Sequence, residues 1–436
     1  MPAIKMPERS TSSDRSAGGL KGLRRRVVCP HCWHEFPPHD ILWVASHPDL
    51  RGDPKAGQDA AIRFLPTRFD LAGRALDANG LPCHQLACPE CHLLVSRALL
   101  QMKPLFFSIL GAPGSGKSYL LASMIWGLRK CMASWFQLAF SDADPVSNQL
   151  LNNYEETLFL STTPNELVAL PKTEREGDLY EGVRVKNRTV WCPKPFVFTV
   201  RPNKDHPHAT QFQSAARAIC LYDNAGEHFL PGGDTAENQA TRHLAISQAL
   251  FFVFDPTQHP RIRRRCADKS DDPQLHDRTW THRQDQVLLE AAHRIRTHAG
   301  LGHSEKDKRP LVVIVTKYDA WCGLTGGKPL LPKHVLKGPQ GGLHALHGGH
   351  LQQVSDQIRD LLARFTPEFT AAAESVSEDV IYIPVSSLGH APEVSERGGF
   401  LGIRPADIRP MWVEFPLIYV LSRTAPHLVP TVNSSR

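Results

Sequence analysis

The stretch Gly111-Ala-Pro-Gly-Ser-Gly-Lys-Ser118 constrains the fold of this chain more than any other. It matches the phosphate-binding loop pattern GxxxxGK[ST] and sits between two segments of different periodicity. In front, Leu105-Phe-Phe-Ser-Ile-Leu110 reads as a short buried strand. Behind, Leu120, Leu121, Met124, Ile125 and Leu128 recur at helical spacing. A strand, a glycine turn and a helix in that order let backbone N–H groups face inward around a phosphate, since Gly111, Gly114 and Gly116 carry no Cβ to obstruct them. The helix N-terminus adds a favourable dipole end. This reading gives nucleotide-binding positions at Ser115, Gly116 and Tyr119 as well. Lys117 would reach the β- and γ-phosphates, and the Ser118 hydroxyl would ligate magnesium.

Further downstream, three more apolar strands end in polar motifs. Ile219-Cys-Leu-Tyr222 runs into Asp223-Asn-Ala-Gly226, a DxxG turn. Asp223 emerges where the strand stops and can hold a water of the magnesium shell, while Gly226 lets its N–H approach a γ-phosphate closely. Val313-Ile-Val315 runs into Thr316-Lys317-Tyr-Asp319, an [NT]KxD motif. A carboxylate at Asp319 accepts N1–H and N2–H of guanine together. Adenine lacks that pair of donors and would leave the carboxylate unpaired, which is a strong means of rejection. The Lys317 stem would lie along the base plane. Finally, Ile383-Pro-Val385 precedes Ser386, Ser387, Leu388 and Gly389, whose backbone N–H groups can hold guanine O6. DxxG alone is a common turn; the joint order of the four motifs carries the specificity.

On these motifs the chain resembles the P-loop GTPase superfamily, in the TRAFAC branch that includes Ras-like and translation-factor GTPases. The resemblance covers roughly residues 101–425. It implies GTP and GDP as ligands, magnesium as cofactor, and a mostly parallel α/β sheet with helices on both faces. It also implies a switch threonine inside the long segment between the phosphate loop and DxxG. Thr162, Thr163 and Thr173 are the candidates, with Thr173 favoured because it lies closer to the next apolar strand. Glu227 stands where many relatives carry the residue that positions the attacking water. A carboxylate there accepts from water but repels the γ-phosphate, so slow intrinsic hydrolysis is expected, with His228 or a partner protein assisting. Arg261-Ile-Arg263-Arg264-Arg265 reads as a solvated loop, with an arginine finger in cis or a grip on an acidic partner as the alternatives.

Four of the ten cysteines form two CxxC knuckles, Cys29-Pro-His-Cys32 and Cys88-Pro-Glu-Cys91. Paired knuckles suit a tetrahedral zinc site, because each short loop presents two sulfurs to one ion. Cys83, His84, His34 and His92 are alternative ligands nearby. The segment between the knuckles reads as a largely irregular insertion. Knuckles ahead of such a nucleotide domain look like bacterial double-GTPase-type proteins. That resemblance implies a cytoplasmic switch acting with protein partners in a multi-component signalling or defence-type system, and reduced thiols as ligands agree with that compartment.

The chain then divides into a basic leader (1–26), a zinc-ribbon-like module (27–100), the nucleotide domain (101–425) and a tail (426–436). Seven Lys/Arg against two acids give the leader a charge of +5, out of +6 for the whole chain. The body is therefore close to neutral, and its charge does not indicate a broad nucleic-acid face. No apolar run is long enough to span a bilayer. Phe196–Val200 and Ile219–Tyr222 have no helical pattern between them and are expected to pair antiparallel at one edge. Pro416–Leu421 reads as a closing helix with proline in its first turn. Two other functions compete: an ATP-dependent P-loop enzyme, and a zinc-ribbon nucleic-acid adaptor whose Trp33, Phe36 and Trp43 stack on bases.

Overall fold

The computed structural model describes residues 22–171, 179–185, 188–224, 242–270, 272–276, 283–300, 302, 305–326, 330–332, 335–340, 342–395 and 399–432. At its centre is a seven-stranded sheet. The strands are β1 (Lys103–Gly111), β2 (Leu138–Asp142), β3 (Phe196–Pro202), β4 (Arg217–Asp223), β5 (Ala249–Phe254), β6 (Asp307–Val315) and β7 (Ser377–Pro384). Their spatial order is β7-β6-β5-β1-β4-β3-β2. Strands β1, β4, β5, β6 and β7 are parallel, while β3 is antiparallel to both β4 and β2. Nearly every residue of β1, β4, β5 and β6 is buried, as expected for parallel strands covered on both faces.

The expected antiparallel pairing is present, with Phe196 opposite Leu221 and Val200 opposite Arg217. It does not form the edge, because β2 pairs outside β3. The stop before β2 is hard to read: the helix ahead of it ends on Gln137, which takes the left-handed cap conformation (φ 51°) usually filled by glycine. Asn148 extends this edge. Its amide donates to Val197 O at 3.0 Å and accepts from Val197 N at 2.9 Å, as a strand residue would.

Six longer helices complete the core: α1 (Lys117–Phe136), α2 (Gln149–Phe159), α3 (Gln284–Ala299), α4 (Gly348–Phe365), α5 (Pro367–Val376) and α6 (Phe415–Thr424). The last is the expected closing helix, with Pro416 in its first turn. Arg129 on α1 ties α1, α2 and β2 together through Glu155 and Asp142 at 2.9–3.2 Å.

Strand alternation decides what covers each face of the sheet. Leu105, Phe107 and Ile109 of β1, Phe198 and Val200 of β3, and Ile219 and Leu221 of β4 join the large core that includes α1. Phe106, Val197, Ala218, Cys220 and Tyr222 point the other way and join a second core, which contains most of the N-terminal module's buried apolar residues. That module therefore docks on the face of β1, β3 and β4 where a helix would otherwise lie. Its insertion is more ordered than the sequence suggests: Leu42–Val44 pairs with Arg63–Phe64 and Leu86–Ala87, and Arg51–Asp53 forms a hairpin with Gly57–Ala61. A second hairpin, Tyr180–Val185 with Arg188–Pro193, contributes Val183 and Cys192 to the same core. Residues 22–26, assigned to the leader by charge, run along the module: Arg24 N–H donates to Leu100 O at 2.8 Å, and Arg26 pairs with Glu35 at 2.6 Å. Among the described residues no helix is long and apolar enough to cross a membrane.

Candidate functional site

The phosphate-binding pattern forms the turn its glycines allow. Gly114 and Gly116 take positive φ (70° and 87°), and a Cβ on Gly111 would sit 2.6 Å from Val253 O. Ser115 N–H donates to Ala112 O at 3.3 Å, and α1 starts at Lys117 with Leu120 N bonded to Gly116 O. Lys117 is buried, and its Nζ donates to Gly111 O at 3.0 Å and Ala112 O at 2.9 Å, bracing the loop from inside. Ser118 is the second residue of α1 and half-buried. The Ser115 hydroxyl is buried without a hydrogen-bond partner among the described residues. Tyr119 leaves the loop: its hydroxyl accepts from Leu170 N at 2.9 Å, so it fixes the neighbouring segment instead.

Asp223 ends β4 beside the loop. Burial pushes its carboxyl up to about 6, with the Lys117 ammonium and the Asn224 N–H pulling the other way. Its Oδ1 is buried and has no hydrogen-bond partner among the described residues. Next to it, Asn224 is held on both sides, donating to Ile109 O at 2.9 Å and meeting His243 Nε2 through Oδ1 at 2.9 Å. Gly226, Glu227, His228 and Thr173 lie outside the described residues. Thr162 and Thr163 are exposed.

Of the two loops proposed for base recognition, one is bonded to the phosphate loop and the other to α1, the helix that the phosphate loop opens. Thr316 Oγ1 donates to Ser115 O at 3.2 Å and Phe254 O at 3.1 Å, and Ser123 Oγ on α1 donates to Ser387 O at 2.8 Å. Lys317 sits at φ 55°, its Nζ 2.6 Å from Asp255 Oδ2 and 3.1 Å from Thr257 Oγ1. Asp255 is fully buried and orients that lysine. The signal was present in Asp255-Pro256, where the carboxylate caps the turn through Thr257 N–H at 2.9 Å. The Ser386 hydroxyl donates to Asp319 and accepts from Gly389 N at 2.8 Å. Leu388 O takes Arg409 N–H at 2.8 Å, closing the loop. Thr316 thus acts on protein groups, while Asp319 and Ser386 meet directly.

The arginine cluster forms a short helix rather than a loop. Arg261 meets Glu368 at 3.3 Å, and Arg263 Nε donates to Thr257 O at 2.8 Å.

Cys29, Cys32, Cys88 and Cys91 converge, with all four sulfurs within 4.8 Å of one another. The Cys29–Cys91 and Cys32–Cys88 separations are both 3.7 Å. That is far too long for a disulfide, and matches the spacing of roughly 3.8 Å between sulfurs placed tetrahedrally at about 2.3 Å from zinc. His31 N and Glu90 N donate to Cys29 and Cys88 sulfurs at 3.4 and 3.3 Å, so each knuckle also steadies a thiolate. The donor set fits zinc. The alternative ligands are placed elsewhere: His92 Nδ1 bonds Asp53 at 2.9 Å, Cys83 Sγ faces Leu81 O, and His34 and His84 are exposed. Phe36 and Trp43 are buried in the module core and closed to stacking bases, while half-buried Trp33 donates through Nε1 to Tyr222 OH at 3.2 Å and carries the Arg242 guanidinium over its ring at 5.9 Å. The residues that sequence reasoning missed are Tyr222, Asn224, His243 and Asp255. All are buried, and among them only Asp255 carried a local signal, the turn-capping Asp-Pro pair.

No protein-family model and no curated protein matches the chain. Among solved structures, it is similar to Aquifex aeolicus Era in a crystal structure bound to GDP and AlF4−. Identity is 14%, the match covers 77% of this chain and 60% of the Era chain, and the TM-score is 0.26. The chain is thus an α/β protein with a seven-stranded, mostly parallel sheet and a four-cysteine cluster docked on one face.

Proposed function

We propose that this chain binds a guanine nucleotide with magnesium and hydrolyses GTP to GDP as a slow molecular switch. The observation that carries the reading is the tethering of both base-recognition loops to the phosphate loop and the helix it opens: Thr316 bonds Ser115 O in the loop, and Ser123 on α1 bonds Ser387 O. Those bonds fix the distance between a phosphate cradle and a carboxylate suited to guanine, which is what a nucleotide spanning both requires. In this reading the N–H groups of residues 111–118 hold the phosphates and Lys117 balances their charge. Ser118 and, through water, Asp223 hold magnesium, which would offset charge on the transferring group. Asp319 accepts from the guanine edge with Ser386 orienting it, and Lys317, pinned by Asp255, lies along the base. Thr173 and Gly226 sense the γ-phosphate, and Glu227 with His228 positions water weakly. Residues 101–425 form the nucleotide domain and 27–100 a zinc-holding cap. Cytoplasmic action with protein partners in a bacterial multi-component system follows from the family resemblance alone.

Competition binding of GTP against ATP to the full chain tests this. GTP should win by at least about 100-fold. Lys117→Ala should weaken triphosphates of either base, and Asp319→Asn should collapse the preference for guanine while leaving phosphate binding in place. A preference for ATP, or indifference to Asp319→Asn, would remove guanine from the proposal and leave an ATP-dependent enzyme.

A further inference from the structure

Among the described residues, Tyr222 joins the Cys29–Cys32 knuckle to the groups beside the proposed nucleotide site. Tyr222 is the penultimate residue of β4, immediately before Asp223, and points into the module's core. Its hydroxyl donates to Pro30 O at 2.6 Å, inside the Cys29–Cys32 knuckle, and accepts from Trp33 Nε1 at 3.2 Å, just beyond it. Its ring stacks on His243 with centroids 4.6 Å apart and planes 15° from parallel. His243 reaches Asn224 through Nε2 at 2.9 Å and Ser108 of β1 through Nδ1 at 2.6 Å. Asn224 in turn donates to Ile109 O, two residues ahead of Gly111. Tyr222, Asn224, His243 and Ser108 are each at most 1% exposed, so every polar atom here must keep its partner or lose a bond that water cannot replace.

A knuckle wrapped around metal holds Pro30 O and Trp33 in fixed positions. A knuckle without metal releases both, and Tyr222 must then find another acceptor in a closed core. The groups that would move with it, Asn224 and His243, brace the strand ends that carry Asp223 and Gly111. We propose that Tyr222 is a positioning residue through which zinc occupancy of the four-cysteine centre raises the affinity of the nucleotide site. The proposal rests on the guanine-nucleotide reading above. By linkage the effect is reciprocal: bound nucleotide must tighten zinc by the same factor.

The test uses the full chain, zinc-loaded and zinc-stripped, titrated with a fluorescent GDP analogue, together with Tyr222→Phe, which keeps the stacked ring and removes the hydroxyl. Zinc removal should weaken nucleotide binding about tenfold in the unaltered protein. Tyr222→Phe should weaken the zinc-loaded form several-fold, and zinc removal should then add little, a non-additivity that general loosening of the fold does not produce. Trp33→Phe, which deletes the second bond to the hydroxyl, should show the same pattern more weakly and serves if Tyr222→Phe loses zinc. As the reciprocal readout, saturating GDP should slow zinc transfer to a chelating dye about tenfold in the unaltered protein and not in Tyr222→Phe. Affinity independent of zinc, or effects of zinc and Tyr222→Phe that multiply as independent changes, would overturn the coupling. Absence of GDP binding in the zinc-loaded unaltered protein would instead overturn the nucleotide reading itself.

Discussion

Two short turns supply the whole donor set of the four-cysteine centre, whereas the proposed nucleotide site gathers Lys117, Asp223, Asp319 and Ser386 from beyond the ends of four different strands. The first is set by local geometry: a CxxC turn leaves its two sulfurs facing one point whatever surrounds it. The second exists only because β1, β4, β6 and β7 run parallel and end on the same side. The bond between Ser123 and Ser387 joins residues 264 positions apart. The two sites also differ in what holds them. The knuckles belong to a small core with short strands, while the nucleotide loops stand on a large one. A site on a large core should survive loss of its ligand, and a site that helps to make its own core should not.

Metal removal is the largest expected effect and the most direct way to break this contrast. Chelation, or Cys88→Ser, should strip amide protection from residues 27–100 while β1, β5 and β6 stay protected in hydrogen exchange. The apparent loss is on the order of 10 kcal/mol of metal-linked folding energy. Protection that persisted across 27–100 without metal would mean that the shared apolar face holds the module, and the two regions would not differ in kind.

Gly389→Ala probes the opposite side. Gly389 has φ 89°, and a Cβ there would strike Arg409 O, which is backbone and cannot step aside. The substitution should cost on the order of 4 kcal/mol. It should disrupt the Ser386–Leu388 loop, weakening guanine binding while leaving zinc content unchanged. Equal loss of zinc would show that the two sites fold as one unit.

Asp223 gives the smallest and sharpest test, through pH. Its carboxyl ordinarily ionises near 3.8 but is pushed up to about 6 by burial in the fold. The sign is the reverse of a salt-bridged acid: below about pH 4 both folded and unfolded forms are protonated and there is no penalty. Between about 4 and 6 the unfolded chain ionises first, so stability falls as pH rises, and above 6 the full cost remains. Asp223→Asn should therefore match the unaltered protein at pH 4 and exceed its unfolding free energy by roughly 3 kcal/mol at pH 7. A difference independent of pH would place the residue in a wetter setting than the one described.

Much of the candidate site was legible because each part is contiguous. Glycines at 111, 114 and 116 before a lysine, a carboxylate just after an apolar strand, and cysteines three positions apart are local patterns with local causes. Edge strand β2 was not legible, because Gln137 replaces the glycine that usually marks a helix end. The hairpin at 180–193 was missed for a related reason. Its strands are half-exposed, and Trp191 and Val185 face out where alternation would lead one to expect polar residues.

By itself the sequence determined the phosphate loop, the order of motifs along parallel strands, the sulfur set and the alternating faces of β1 and β4, since all of these depend on residues within a turn or a strand of one another. Only the tertiary structure decided that the four-cysteine module covers the sheet in place of a helix, that Thr316 bonds the phosphate loop, and that Tyr222 reaches Pro30 from β4. Those contacts join positions about 190 to 200 residues apart, and no local propensity encodes which buried hydroxyl will meet which carbonyl once two apolar faces have closed.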